Sequence, residues 1–152
     1  MDFNSKKKRL GDMLVDEGVI TVKQLEIALI EQKKSNQKLG ETLVDLEYTD
    51  ELGIAKTLQK QLKLDRVQLS GIVIQPEVIE LVNEQILRKY MLIPFEFNKV
   101  NPNLLRVAMT DPLDFIAIDD LSIITNLRID PVISTPREIA ATIDRYYGNA
   151  EV

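Results

Sequence analysis

The chain contains neither cysteine nor histidine in its 152 residues. Without cysteine there is no disulfide framework, no thiolate metal site and no cysteine nucleophile; without histidine the commonest general base and metal ligand is gone. Most hydrolytic and zinc chemistry is excluded, and no metal or cofactor is expected. Long apolar runs are also missing: uninterrupted stretches such as 72–74 and 91–93 fall far short of the roughly 20 residues that span a bilayer. No direct membrane insertion is expected, and with no secretory signal the reading is a cytoplasmic protein. No glycine is followed by lysine, so the phosphate-cradling G-x-x-x-x-G-K-[ST] loop is absent, as are G-x-S-x-G and G-x-G-x-x-G. The chain is therefore not expected to be an enzyme. A net charge of −5 argues against a DNA or RNA partner, whose phosphates call for a basic surface. The basic run at 6–9 is the exception and reads as a solvated tail entering the first repeat. The acidic groups at 111–114 and Asp119-Asp120 read as helix caps and solvated faces, because adjacent residues on a helix do not face each other.

What is present is a duplication. Residues 9–32 and 38–61 align without a gap at an offset of 29, with 7 of 24 positions identical: Leu10/Leu39, Gly11/Gly40, Leu14/Leu43, Val15/Val44, Asp16/Asp45, Leu29/Leu58 and Gln32/Gln61. Arg9/Lys38, Asp12/Glu41 and Leu25/Ile54 keep their chemistry. Two copies of one unit offer two half-sites to a ligand that is itself two-fold symmetric, or two equivalent surfaces to a partner. In the first copy Leu10, Leu14 and Val15 have helical spacing, Gly18 stops that helix, and Thr21-x-x-Gln24 is a capping box for a second. Leu25, Ala28, Leu29 and Gln32 then share one stripe. In the second copy Asp50 is the cap and Ile54, Thr57, Leu58 and Gln61 form the stripe.

After residue 62 the pattern becomes mixed. Pro76 opens a helix over 76–90, strands follow at Leu92–Phe97 and Leu104–Met109, a helix at 114–125, a strand at Arg128–Ile133, and a last helix that starts at the Thr135-Pro136-Arg137-Glu138 box and ends before Gly148. The fold class is α+β: an N-terminal four-helix unit made of two repeated helical hairpins (8–62), followed by a small open sheet with helices packed on it (63–148).

Two features of the repeat exceed the needs of packing. Glycine at the same place near the start of each short helix costs roughly 1 kcal/mol relative to alanine, so its repetition points to close backbone approach. Each is preceded by a cation, Arg9 or Lys38; arginine can pair with guanine O6 and N7 or stack on the base, which lysine does less well. Gln32 and Gln61 can read a base edge or bond a neighbouring helix. With the leucines at 10, 25, 29, 39 and 58 and Ile54, these residues make an apolar seat for purines, or a helical core.

The run Arg9-Leu10-Gly11-x-x-Leu14-Val15-x-x-Gly18-x-Ile20, then Leu25, Ala28-Leu29 and Gln32, a five-residue spacer and the second copy, resembles the tandem 24-residue motifs of the MshEN domain. That family is the N-terminal domain of assembly ATPases for type IV pili and type II secretion. Ile93-Pro94-Phe95, the segment 105–112 and Tyr146-Tyr147-Gly148 are similar to its second half. The resemblance implies a regulatory domain of a larger ATPase that binds cyclic di-GMP. It implies that Arg9, Leu10, Gly11, Leu14, Leu25, Leu29 and Gln32 hold one guanine half, and Lys38, Leu39, Gly40, Leu43, Ile54, Leu58 and Gln61 the other. Asp111 would accept from a guanine edge and Lys7 would add a contact. The partners it implies are the parent's ATPase domain and inner-membrane platform proteins; the alternative is a nucleotide-independent docking domain of the same machinery. The second copy departs from the pattern at Lys38, Glu47 and Thr49.

Overall fold

The computed structural model describes residues 9–148, and the chain divides into two compact units between Lys63 and Leu64.

The first unit is four helices: α1 Leu10–Asp16, α2 Val22–Ser35, α3 Leu39–Asp45 and α4 Glu51–Leu62. Their ends follow local chemistry. α1 stops where Gly18 turns left-handed (φ 74°), letting the Val19 N–H donate to the Leu14 carbonyl at 2.9 Å. At the same place in the second copy Glu47 adopts φ 62° and the Tyr48 N–H donates to Leu43 at 3.0 Å, so the turn survives loss of its glycine. Thr21 and Gln24 form the reciprocal capping box of α2, with Gln24 N–H to Thr21 Oγ1 at 3.1 Å and Thr21 N–H to Gln24 Oε1 at 2.9 Å. Asp50 Oδ1 accepts from the Gly53 N–H at 2.7 Å and starts α4.

The copies do not pack as two separate hairpins. α1 lies most extensively on α4, and α3 on α2, so each short helix packs chiefly on the long helix of the other copy. The reason is area: a seven-residue helix has only two turns, and Leu14 and Leu43, both 0% exposed, reach one shared core with Ile20 and Ala28. At roughly 1.5–3 kcal/mol per buried leucine, that shared core is what makes helices of this length stable.

The second unit has a 3₁₀ turn at Leu69–Gly71, then α5 Pro76–Ile79, α6 Glu84–Tyr90, β1 Leu92–Phe97, β2 Leu104–Met109, α7 Phe115–Thr125, β3 Arg128–Ile133 and α8 Pro136–Tyr147. The single helix expected over 76–90 is two, because Asn83 leaves the helical region and its Oδ1 accepts from the Ile86 N–H at 3.0 Å, capping a new start. The sheet order is β1-β2-β3: β1 and β2 are an antiparallel hairpin with a bulge between Pro94 and Glu96, and β2 and β3 run parallel across α7. Arg106 on β2 ties the strands together, pairing with Glu96 at 2.9 Å, Asp65 at 3.2 Å and Asp130 at 3.6 Å. α8 buries Ile139 and Ile143 against this sheet. Its end is anchored by Tyr146 Oη, which accepts from the Ile74 N–H at 2.6 Å, and by Tyr147 Oη, which donates toward the carbonyls of Ile79 and Val82 at 3.2 and 3.1 Å.

Candidate ligand site in the helical repeat

Arg9 and Lys38 are the N-cap residues of α1 and α3, both extended in backbone and both exposed. A cationic side chain cannot accept from the free N–H groups of a first turn, so the usual side-chain cap is missing. Only the return half of a capping box forms: Asp12 Oδ2 accepts from the Arg9 N–H at 3.4 Å and Glu41 Oε1 from the Lys38 N–H at 3.3 Å. Neither cation is consumed by an ion pair among the described residues.

The two glycines differ in how tightly they are packed. A Cβ on Gly11 would lie 2.5 Å from Leu25 Cδ1, so Leu25 packs into the space a side chain there would take. A Cβ on Gly40 would sit 3.5 Å from Ile54 Cδ1 and 3.7 Å from Leu10 Cδ2. Leu10 opens α1 and Gly40 lies in the first turn of α3, so the two motif starts meet at this point. Around them Leu10, Leu25, Leu39 and Ile54 are each half-buried and leave an apolar surface.

The other expected site residues divide. Leu29, one turn beyond Leu25, is 40% exposed, whereas its counterpart Leu58 is 2% exposed. Leu14, Leu43 and Leu58 are enclosed and offer no surface to a ligand; in this structure they are core residues, a correction to their assignment as contacts. Gln32 is half-buried on α2. Gln61 is half-buried and bonds a neighbouring helix: its Nε2 donates to Glu17 Oε2 at 2.5 Å, while Glu17 Oε1 pairs with Lys60 Nζ at 2.9 Å. The Lys60 ammonium, and after it the Gln61 amide, hold the Glu17 carboxyl below its ordinary range. Glu17 escaped sequence reasoning because it stands where the copies differ, opposite Leu46 at the offset of 29. Asp111 belongs to the second unit, where its Oδ1 accepts from the Leu113 N–H at 3.0 Å in a turn around Pro112. Lys7 lies outside the described residues. Among the described residues no cluster of acidic side chains is arranged to hold a metal ion, and no helix is long and apolar enough to cross a membrane.

Comparison with known proteins follows this division. The sequence profile of the MshEN domain matches residues 62–152, more than half of the chain. The chain belongs to the MshEN domain family. Relatives carry the likeness through the repeat as well: the type IV pilus assembly ATPase PilB of Myxococcus xanthus is 34% identical over 139 residues, 91% of this chain. PilB of Thermus thermophilus is 29% identical over 140 residues, 92% of the chain. This MshEN chain spans 24% and 16% of the length of those two proteins. Among solved structures, MshE with cdg superposes with a TM-score of 0.77 at 33% identity, covering 92% of this chain and 99% of that one. The N-terminal domain of XpsE superposes with a TM-score of 0.80 at 23% identity, covering 97% and 100%, a likeness of fold.

Proposed function

We propose that this MshEN domain is a non-catalytic cytoplasmic regulator that binds cyclic di-GMP on its helical repeat and so controls a pilus or secretion assembly ATPase of which it is the N-terminal part. The observation that carries this reading is the meeting of the two motif starts at Leu10 and Gly40, with Leu10, Leu25, Leu39 and Ile54 half-buried around one core. MshE, solved with cdg, shorthand for cyclic di-GMP, supports the choice of ligand. The ligand has two guanines and two phosphates related by a two-fold axis, and the repeat presents two cations, two glycines in register and two apolar seats. Leu10, Leu25 and Leu29 would bear one base and Leu39 and Ile54 the other, with Gly11 letting Leu25 close on α1 and Gly40 admitting the ligand against the backbone. Arg9 can pair with guanine O6 and N7 or stack on the ring, and Lys38 supplies charge. Gln32 and Gln61 would read base edges. Regulation follows if ligand favours one arrangement of the parent ATPase over another by differential affinity.

Titration calorimetry tests this directly. Heat with a stoichiometry of about one cyclic di-GMP per chain is expected, as one two-fold ligand across both copies requires. Arg9→Ala should weaken binding and Leu29→Glu should abolish it, while both variants keep their helical circular dichroism. No heat at ligand concentrations on the order of 100 µM, where a micromolar binder is saturated, would sink the proposal.

A second reading, nucleotide-independent docking to the parent ATPase domain or to a platform protein, draws on α7. Its outward residues Phe115, Ile116, Ile123 and Ile124 are 63%, 71%, 79% and 48% exposed, an apolar face of the kind that partners cover. Loss of partner binding on Ile123→Lys with ligand affinity unchanged would assign the two functions to different units.

A further inference from the structure

Glu17, at the C-cap of α1, belongs to neither of the motifs' shared positions, yet it grips one of their glutamines. A carboxylate only accepts hydrogen bonds, so the Gln61 side chain must meet it with its NH2 group. Turned over, the amide would set its carbonyl oxygen against a negative charge. Glu17 is held in place from its other oxygen by Lys60 at 2.9 Å, and its side chain is 18% exposed, so the grip is partly shielded from water. Depression of the Glu17 carboxyl by Lys60 and Gln61 keeps it ionised, hence an acceptor, through neutral pH. The arrangement has no twin. At the offset of 29 the counterpart of Glu17 is Leu46, an apolar residue that cannot orient an amide.

Resting on the reading that the repeat binds a guanine dinucleotide, we propose that Glu17 is a specificity-determining residue of the second half-site. It anchors the Gln61 amide by its NH2 and thereby presents the amide oxygen as an acceptor for the N1–H and N2 amino donors of guanine. Adenine offers an acceptor at N1 and no 2-amino group, so it would meet oxygen with a lone pair. The Gln32 half-site has no such anchor; its amide can turn to donate or accept, and it tolerates either purine. Glu17 touches no ligand in this scheme and acts through Gln61.

The test compares cyclic di-GMP, the mixed guanine–adenine cyclic dinucleotide and cyclic di-AMP by calorimetry on the full chain and on Glu17→Gln and Lys60→Ala variants. Glutamine at 17 keeps the size and a hydrogen bond but can face Gln61 with either end of its amide, so Gln61 becomes free to turn. For the unaltered chain the mixed ligand should lose little relative to cyclic di-GMP and cyclic di-AMP should lose roughly tenfold or more, the penalty for one mismatched, desolvated acceptor. In Glu17→Gln that discrimination should shrink to about twofold, because the amide flip restores the bond. Lys60→Ala should keep the discrimination of the unaltered chain. If the unaltered chain binds cyclic di-GMP and Glu17→Gln discriminates as strongly as it does, the inference fails and the ligand reading stands. Equal loss in Lys60→Ala would also overturn it, since charge rather than amide orientation would then be responsible. Absence of binding to all three ligands by the unaltered chain would refute the ligand reading itself. A cooperative unfolding transition for Glu17→Gln, with helical circular dichroism unchanged at the assay temperature, removes misfolding as a cause.

Discussion

Adding one methyl group at each repeated glycine should have opposite consequences in the two copies. Both glycines lie in the first turn of a short helix, where alanine favours the folded state by up to about 1 kcal/mol, somewhat less near an end. At Gly40 the new Cβ would stand 3.5 Å from Ile54 Cδ1 and 3.7 Å from Leu10 Cδ2, ordinary contact, so Gly40→Ala should keep most of that gain. At Gly11 the Cβ would lie 2.5 Å from Leu25 Cδ1 and 3.1 Å from Cδ2, while Cγ at 3.4 Å needs little shift. The clash is with the far end of a half-buried leucine, which can swing aside at an off-rotamer cost of about 0.5–1.5 kcal/mol plus lost packing of similar size. Gly11→Ala should thus be neutral to destabilising by about 1 kcal/mol, leaving a gap of roughly 1–2 kcal/mol between the variants. Thermal unfolding followed by far-ultraviolet circular dichroism would register that gap as roughly 5–10 °C, given about 4–8 °C per kcal/mol for small units. A Gly11→Ala protein that melts at or above Gly40→Ala would refute the claim that Leu25 packs into the space a side chain at Gly11 would take.

Four further outcomes are expected. Glu47→Gly should stabilise the first unit by several tenths of a kcal/mol or more, since it relieves a left-handed non-glycine residue at φ 62°, and denaturant unfolding would detect it. The depressed Glu17 carboxyl contributes stability that is fully present above the unfolded value near 4.5 and is lost as pH falls through the lower folded value; Glu17→Gln should remove that part of the acid unfolding curve. Tyr147→Phe should cost about 1 kcal/mol of stability by taking the hydroxyl from the Ile79 and Val82 carbonyls, without changing ligand affinity. Leu58→Ala should cost about 2–5 kcal/mol of stability as a core truncation, whereas Leu29→Ala should leave stability nearly unchanged and weaken cyclic di-GMP binding in calorimetry.

Local chemistry made most elements legible. Thr21 with Gln24, Asp50 and the Thr135-Pro136-Glu138 start each announce a helix by a group that must satisfy free N–H donors, and those donors are found on them. The break after α5 was not legible because Leu81, Val82 and Leu87 continue a helical apolar pattern, and only the Asn83 side chain, bonded to the Ile86 N–H, decides for a new start. Exchange of partners between the copies was hidden for a different reason: an intra-copy and an inter-copy hairpin bury the same leucines. The same ambiguity affects the site. Duplication preserves whatever both copies need, so Leu14 and Leu43, repeated for the core, look no different in sequence from Leu10 and Leu39, which remain half exposed. Conversely, a residue that acts in one copy only, such as Glu17, leaves no repeated trace.

The interleaving explains why a duplicated motif is more than two separate sites. Because α1 rests on α4 and α3 on α2, neither copy has a complete core alone, and the first turns of α1 and α3 are brought side by side at Leu10 and Gly40. A seat at that junction exists only when both copies are folded together, so it suits a ligand with two linked halves better than two independent mononucleotides, which would gain nothing from the linkage. The scaffold's symmetry would thus select the shape of the proposed ligand. Its breaches act on chemistry instead: arginine against lysine at the cap, an open Leu29 against an enclosed Leu58, and Glu17 against Leu46 give the two bases unlike surroundings. On the proposed reading, a symmetric ligand on such a surface would have one half held by apolar contact and a flexible amide and the other by a fixed acceptor, so loss of either half would remove a different part of the recognition.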